Sequence, residues 1–417
     1  MYKSHRTCRA CGYGAKPTPP GVKDTSNEKL VPVLSLGIQP LANDFSDEQG
    51  IHAGFAPLEV LFCPRCTLAQ LSVVVDPQIL YRNYAYVTSK SETMKAHFGA
   101  LHDLICDEAN PKSVVEIGSN DGDLLDFFRG RGTERFYGID PAANLAEVAT
   151  QRGIPTEVAT FGLCTARYLR TIFHSPDVII ARHVFGHVDD WNGFIAGLDL
   201  LSDYNTVVVI EVPHAAKLVA NCEFDTIYHE HLSYISLRSI EHALKDTRFH
   251  IHRIEKFPIH GGAVVVMLRP NNTAFAPHGS VAEHLAGENV TLEGWQGLEQ
   301  RMKGRIAELR YLVSRIKSEG KKVCAFGASA KSTVLINLCG FSRREIDFIA
   351  DCTPSKQHKY SPGSNIPIVD EGALLRELPD YAIMCCWNFR DEVLERQKLY
   401  RDKGGKFIIP IPQVEIF

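Results

Sequence analysis

Four apolar runs, each leading into a turn, constrain this chain more than any other feature. SVVEIG (113–118) precedes the helical stretch DLLDFFRGRG, and RFYGID (135–140) precedes NLAEVATQRG. VIIARHV (178–184) and NTVVVIEVP (205–213) continue the series. Strands that alternate with helices are laid side by side in parallel, with helices on both faces, so a doubly wound α/β sheet is expected. GGAVVVMLRP (261–270) reads as an edge or terminal strand of that unit, and 271–290 as a polar loop. A long helical pattern (292–320) then opens a second series: KKVCAFG (321–327), REIDFIADC (344–352), YAIMCCWN (381–388) and KFIIPIP (406–412). Three parts follow, with expected boundaries 1–75, 76–290 and 291–417.

Residues 1–75 show no such order. Prolines at 17, 19, 20, 32, 40, 57 and 64 interrupt them, and a segment this poor in apolar residues needs a staple. Cys8-x-x-Cys11 and Cys63-x-x-Cys66 supply one. Each knuckle presents two thiolates from a tight turn, and two knuckles complete a tetrahedron around zinc. The loop between them, 12–62, is longer than in common zinc ribbons. Neither pair adjoins a βαβ pattern, which argues against a redox role. Four protein ligands leave no open position, so the zinc is expected to be structural. The eight remaining cysteines are expected to be buried thiols.

VVEIGSNDGDLL (114–125) carries the cofactor information. Gly118 and Gly122 allow close approach of the main chain to a ligand. Asn120 stands where a dinucleotide-binding loop needs its second glycine. A cofactor without a pyrophosphate tolerates that change. Asp140, about 20 residues on at the end of the second strand, is placed to accept ribose hydroxyls. Glu116-x-Gly118-x-x-x-Gly122 with a later acid resembles the first two motifs of class I methyltransferases.

Two polar segments follow later strands of the same sheet, at the carboxyl ends where open α/β sheets bind ligands. They are ARHVFGHVDDW (181–191) and EVPHAAKLVANCEFDTIYHEHLSYISLRSI (211–240). Tyr228-His229-Glu230-His231 is too short and too polar for a core strand. Were it extended, His229 and His231 would share a face as metal ligands do, but no third ligand is evident. A solvated loop is the plain alternative.

The knuckles, EIGSNDG, TIYHEHLSYIS and the later GASAKS, IADCTPSKQ and PGSNIPI together resemble the sugar C-methyltransferases of deoxysugar biosynthesis, over nearly the whole chain and in the same order. The resemblance implies a zinc-binding module at 1–75, a class I methyltransferase Rossmann-like domain binding S-adenosylmethionine at 76–290, and a second Rossmann-like α/β domain at 291–417 that helps hold a nucleotide-sugar. It implies methylation at C3 of a nucleotide-diphosphate 4-keto-6-deoxyhexose. Tyr228, Glu230 and His231 match the family's catalytic cluster, and His187 matches a histidine after the preceding strand. An active-site tyrosine is implied among Tyr81, Tyr84 and Tyr86, with Tyr84 preferred. Ala263 replaces a serine usual after the two glycines of HGGAVVV.

The chemistry suits these residues. A hydrogen beside a ketone needs a base, and neutral imidazole, with a reference pKa near 6.5, serves at neutral pH; His231 is the candidate. Glu230 is placed to orient an imidazole or bind a hydroxyl, and Tyr228 or Tyr84 to donate to the enolate oxygen. In the C-terminal unit, Gly327, Ser329, Lys331 and Ser332 follow a strand and open a helix, an arrangement that suits a diphosphate although it is no Walker A loop. His229, His260, Lys356 and Asn388 are further candidate substrate contacts. The net charge is −4 with no polybasic run, which disfavours nucleic acid and anionic membrane as partners. No signal peptide or apolar span is visible, so a cytoplasmic location is expected. A nicotinamide-dependent dehydrogenase or epimerase, a methyltransferase of another acceptor and a zinc scaffold are the competing readings.

Overall fold

The computed structural model describes residues 1–14, 29–52, 54–81, 84, 91–271 and 275–417. The N-terminal strands are β1 (Tyr2–Ser4), β2 (Val31–Pro40), β3 (Phe55–Phe62), β4 (Ala69–Leu71) and β5 (Val73–Val75). β2, β3 and β4 pair antiparallel, and β1 pairs with β5. This corrects the expectation of an irregular, apolar-poor segment. The prolines misled because proline usually breaks a strand. Here Pro32, Pro40 and Pro57 lie on β2, the outer strand, or beside its two breaks in register, where a missing N–H is tolerated. Leu34, Leu36, Leu58, Val60 and Phe62 form one core with Leu218, Phe224, Trp295 and Leu298. The segment buries its apolar face on the rest of the chain rather than on itself.

The central sheet begins with β6 (Ser113–Ile117), β7 (Arg135–Asp140), β8 (Thr156–Val158), β9 (Val178–Arg182) and β10 (Val207–Pro213), all parallel. β11 (Ser233–Tyr234) leaves this region and pairs with β4 of the N-terminal sheet. β12 (Phe249–Phe257) and β13 (Ala263–Pro270) complete the central sheet in the order β12-β13-β10-β9-β6-β7-β8, with β13 antiparallel to both neighbours. β13 is last in sequence but interior in space, because β12 lies outside it; all eight of its residues are buried. The helix Glu92–Glu108, capped by the Ser91 side chain, lays Met94, Phe98, Leu101 and Ile105 on one face of the sheet. Each such buried side chain contributes about 1.5–3 kcal/mol relative to exposure. The stretch 271–290 is not all loop: Ser280–Ala286 is helical.

The C-terminal sheet contains β14 (Val323–Phe326), β15 (Ile349–Asp351), β16 (Ile368–Asp370), β17 (Tyr381–Met384), β18 (Lys406–Ile409) and β19 (Glu415–Ile416). Its order is β16-β15-β14-β17-β18-β19, parallel except for β19. Strand order reverses at β6/β9 in the central sheet and at β14/β17 in this one, the positions at which open α/β sheets bind their ligands. Among the described residues, no helix is long and apolar enough to cross a membrane.

Candidate active site

The four knuckle cysteines converge. Cys8 and Cys66 sulfurs are 3.4 Å apart and those of Cys11 and Cys63 are 3.6 Å apart. All four ligand atoms lie within 4.8 Å of one another. A tetrahedral zinc with bonds of about 2.3 Å requires sulfur separations of about 3.8 Å, so the donor set fits. The two knuckles share one fold: Gly12 N donates to Cys8 O at 3.0 Å, and Thr67 N donates to Cys63 O at 2.9 Å. Both turns end on a left-handed residue, Gly12 or Thr67. Metal analysis of the purified protein is expected to give one zinc per chain. Cys63→Ser is expected to lose it and to lower the thermal midpoint, since such binding energy is folding energy. Zinc-free protein with an unchanged melting curve would remove the assignment. Of the other cysteines, Cys222, Cys324, Cys339 and Cys385 are buried and Cys386 partly so, but Cys106, Cys164 and Cys352 are exposed, contrary to expectation. The first two lie on amphipathic helices and the third just beyond a strand end.

At the ends of β6 and β7, the glycine loop is built around Asp140. Asn120 N donates to its Oδ2 and Ala142 N to its Oδ1, each at 2.8 Å. Gly118 has φ +70°, and a Cβ there would strike Val184. Asn120 also takes a left-handed φ of 53°, and Gly122 one of 78° as the cap of the helix Asp123–Arg129. Glu116 is fully buried with Arg182 Nη2 at 3.4 Å, and burial pushes its carboxyl up to about 8. Its second oxygen has no partner among the described residues. Asp121 and Asp140 at this loop repel a pyrophosphate and suit ribose hydroxyls with a sulfonium and an ammonium group, and Glu116, neutral below about 8, can donate as well as accept a hydrogen bond. The residues therefore fit S-adenosylmethionine.

The polar segments meet over this loop. Phe185–His187 is a single 3-10 turn after β9 and Phe224–Thr226 another after β10. They bring the rings of His187 and His231 to 5.0 Å, with the Tyr228 ring 3.9 Å from that of His231. His231 Nδ1 lies 2.7 Å from the Thr226 carbonyl oxygen. A carbonyl only accepts, so Nδ1 carries the proton and Nε2 keeps the lone pair. Burial, reinforced by His187, holds His231 well below its usual range. Burial likewise pushes His187 down to about 4. Tyr81 reaches the cluster: its hydroxyl is 3.2 Å from His187 Nδ1. Tyr84 packs its ring against that of Tyr81 at 5.7 Å, its main-chain N donates to Asn144 Oδ1 at 3.3 Å and its carbonyl accepts from Asn144 Nδ2 at 3.1 Å. Tyr86 lies outside the described residues.

The YHEH segment is a turn, not a strand, and its middle two residues are buried while Tyr228 and His231 are partly exposed. His229 and Glu230 are each 1% exposed. Their polarity misled because partners come from far away in sequence. Glu230 Oε1 accepts from Asn43 at 2.9 Å, and burial raises its carboxyl to about 7. His229 Nε2 lies 3.2 Å from the Ala56 carbonyl, turned into the N-terminal sheet, so the two histidines make no metal site. No metal cluster besides the four cysteines occurs among the described residues.

The C-terminal unit forms the facing wall. Lys331 Nζ is 3.2 Å from Asn388 Oδ1 and 4.1 Å from the centroid of the Trp387 ring. Asn388 Nδ2 is 3.4 Å from His260 Nδ1, and His260 packs on His183 at 4.8 Å. Ser329 and Ser332 spend their hydroxyls on each other's backbone as a capping box for the helix Ala330–Cys339. Lys356 Nζ is buried and donates to Ala328 O at 2.8 Å. The capping box leaves the backbone amides of this helix start, rather than the serine hydroxyls, to face a ligand. Gly327 has φ +93° and abuts Cys386. Ala263 is buried in the core and does not face the crevice.

Several site residues had not been singled out. Glu211 is fully buried with His97 Nε2 at 2.8 Å and His183 Nε2 at 3.5 Å. Burial would raise its carboxyl, yet His183 and His97 hold it well below the usual range. Trp387 Nε1 donates to Asp225 Oδ2 at 2.7 Å, joining the C-terminal unit to the turn that carries Thr226. Burial raises Asp225 to about 7. Asn43 sits in the long loop between the knuckles, where no local pattern marks it.

Three family models match the chain: a zinc binding domain over residues 25–81, a methyltransferase domain over 93–254 and a C-methyltransferase C-terminal domain over 258–412. C-methyltransferase NovU of Streptomyces niveus is 32% identical over 418 residues, covering 98% of this chain and 96% of the relative. Among solved structures, the PH0226 protein of Pyrococcus horikoshii OT3 aligns at TM-score 0.35 and 11% identity, covering 46% of this chain and 97% of its own. The N-methyltransferase NodS of Bradyrhizobium japonicum WM9 aligns at TM-score 0.33 and 12% identity, covering 44% and 99%.

Proposed function

This chain belongs to the sugar C-methyltransferase family and is an S-adenosylmethionine-dependent C-methyltransferase with structural zinc, and we propose that it methylates C3 of a nucleotide-diphosphate 4-keto-6-deoxyhexose through an enolate. The observation that carries the reading is the bond from His231 Nδ1 to the Thr226 carbonyl at 2.7 Å. It leaves Nε2 as the one basic nitrogen of a ring that burial keeps neutral.

Bound S-adenosylmethionine supplies the electrophilic methyl group. Glu116, Gly118, Asn120, Gly122 and Asp140 would hold it, with Asp140 accepting from ribose hydroxyls. His231 Nε2 removes the proton from C3, and the electron pair left behind spreads onto the C4 oxygen. Tyr81, Tyr84 and Tyr228 are the candidate donors to that oxygen. Burial keeps the Tyr81 phenol protonated, with its pKa raised well above 10, so it retains a hydrogen to donate. One preorganised donor of this kind is worth about 2.7–4 kcal/mol in the transition state. Glu230 and His260 would bind sugar hydroxyls, and His187 would align Tyr81. Residues 1–75 would carry the zinc, 76–290 the cofactor and the chemistry, and 291–417 the nucleotide end through Lys331.

Incubation with methyl-labelled cofactor and a panel of thymidine- and guanosine-diphosphate keto-sugars tests the substrate class. With an accepted sugar deuterated at C3, washout into water is expected in the presence of S-adenosylhomocysteine. Labelled product without washout from a deuterated acceptor would end the enolate mechanism. Transfer to a ketone that carries no nucleotide would end the sugar-nucleotide assignment.

A further inference from the structure

The zinc knuckles are wired to the histidine cluster. Arg9 lies between Cys8 and Cys11, and its side chain is 0% exposed. Its Nη1 donates to the Leu232 carbonyl at 3.2 Å, and its Nε donates to Asp189 Oδ1 at 3.2 Å. Nη2 lies 3.1 Å from the same carboxylate oxygen. Leu232 directly follows His231, and Asp189 is two residues past His187. One guanidinium thus grips both segments whose histidine rings meet at 5.0 Å.

The grip is itself fixed. Arg9 N donates to Gln70 Oε1 at 3.0 Å, and Gln70 Nε2 donates to Thr7 O at 3.0 Å. Gln70 lies on β4 opposite Ser233 of β11. From the second knuckle, Thr67 Oγ1 is 2.7 Å from Ser236 Oγ, and Leu71 N donates to Leu232 O at 2.9 Å. Residues 232–236 are therefore held from both halves of the metal centre.

We propose that Arg9 is a positioning residue for methyl transfer, through which the zinc-organised knuckle sets the spacing of His187 against His231. The planar fork lets one side chain serve a carbonyl and a carboxylate together, which an ammonium on a flexible stem does not reproduce. Zinc held by the four cysteines would fix the knuckle and with it the direction of Arg9. The inference rests on the reading of His231 as the base.

Arg9→Met tests it with little threat to the fold. Asp189 keeps Lys3 Nζ at 2.8 Å and His5 Nδ1 at 3.2 Å, and Leu232 O keeps its bond from Leu71 N. In the full-length, zinc-loaded protein, zinc content and S-adenosylhomocysteine affinity are expected to stay at wild-type values. kcat is expected to fall about 10- to 100-fold, the scale on which a misplacement of about 1 Å acts, with KM for the keto-sugar little changed. Arg9→Lys should fall nearly as far. Combining Arg9→Met with His187→Asn should cost less than the product of the two single losses. Wild-type kcat in Arg9→Met, or a loss that tracks missing zinc, would overturn the proposal. Its failure is separable from that of the base: full activity in His231→Asn removes the base assignment, whereas an inactive His231→Asn beside a fully active Arg9→Met removes Arg9 alone.

Discussion

Replacing His231 with asparagine is expected to lower turnover by about 100- to 10,000-fold, the usual contribution of a positioned general base. The Asn amide retains an N–H that can bond the Thr226 carbonyl, so the turn should persist while the basic nitrogen is lost. Affinity for S-adenosylhomocysteine should remain near wild type, because the cofactor crevice is built from β6 and β7. The wild-type pH profile makes the same argument with a sign. A protonated His231 is inactive, so rate is lost as pH falls through its pKa. Burial and His187 hold that pKa well below 6.5, so the limb set by His231 should lie below pH 6.5, beneath the step that Glu230 contributes near 7, and should be the one that disappears in the variant. A variant that retains full rate, or one that keeps the limb below pH 6.5, would take His231 out of the base role.

Local patterns made the doubly wound sheets legible. β6, β9 and β10 are buried almost throughout, and a fully buried parallel strand reads as an unbroken apolar run. The knuckles were legible because metal-ligand spacing is a local property. What escaped was non-local. β2 and β3 carry prolines that only their bulges and outer position excuse. β12, with the pattern FHIHRIEKF, is too polar to stand out until β13 pairs with it. The active site shows the same division. Tyr228, Glu230 and His231 stood together in one short turn. Asn43 and Trp387, which hold Glu230 and Asp225, come from 187 and 162 residues away. Ser329 and Ser332 were legible as the start of a helix, but that their hydroxyls close a capping box follows only from the geometry of the turn.

Lys331→Met is expected to raise KM for the nucleotide-sugar by roughly 30- to 1,000-fold, the effect of losing about 2–4 kcal/mol from one partner of a buried charged contact. Lys331 follows β14 at the reversal of strand order, directly opposite the loop after β17 that supplies Trp387 and Asn388. Its ammonium meets an amide oxygen and an aromatic face, and among the described residues no carboxylate reaches ion-pair distance. Burial lowers its pKa against the opposing pull of Asp225 and Glu223. A cation desolvated to that degree gains most from an anion brought to it, and a diphosphate is such an anion. Because Ser329 and Ser332 are committed to the helix cap, the charge on Lys331 is the principal side-chain attraction this turn offers. The variant should therefore weaken a free nucleoside diphosphate by about the same factor as the substrate, with S-adenosylhomocysteine unaffected. A large fall in kcat with KM and nucleotide affinity unchanged would instead place Lys331 at the reacting carbonyl and remove it from the diphosphate.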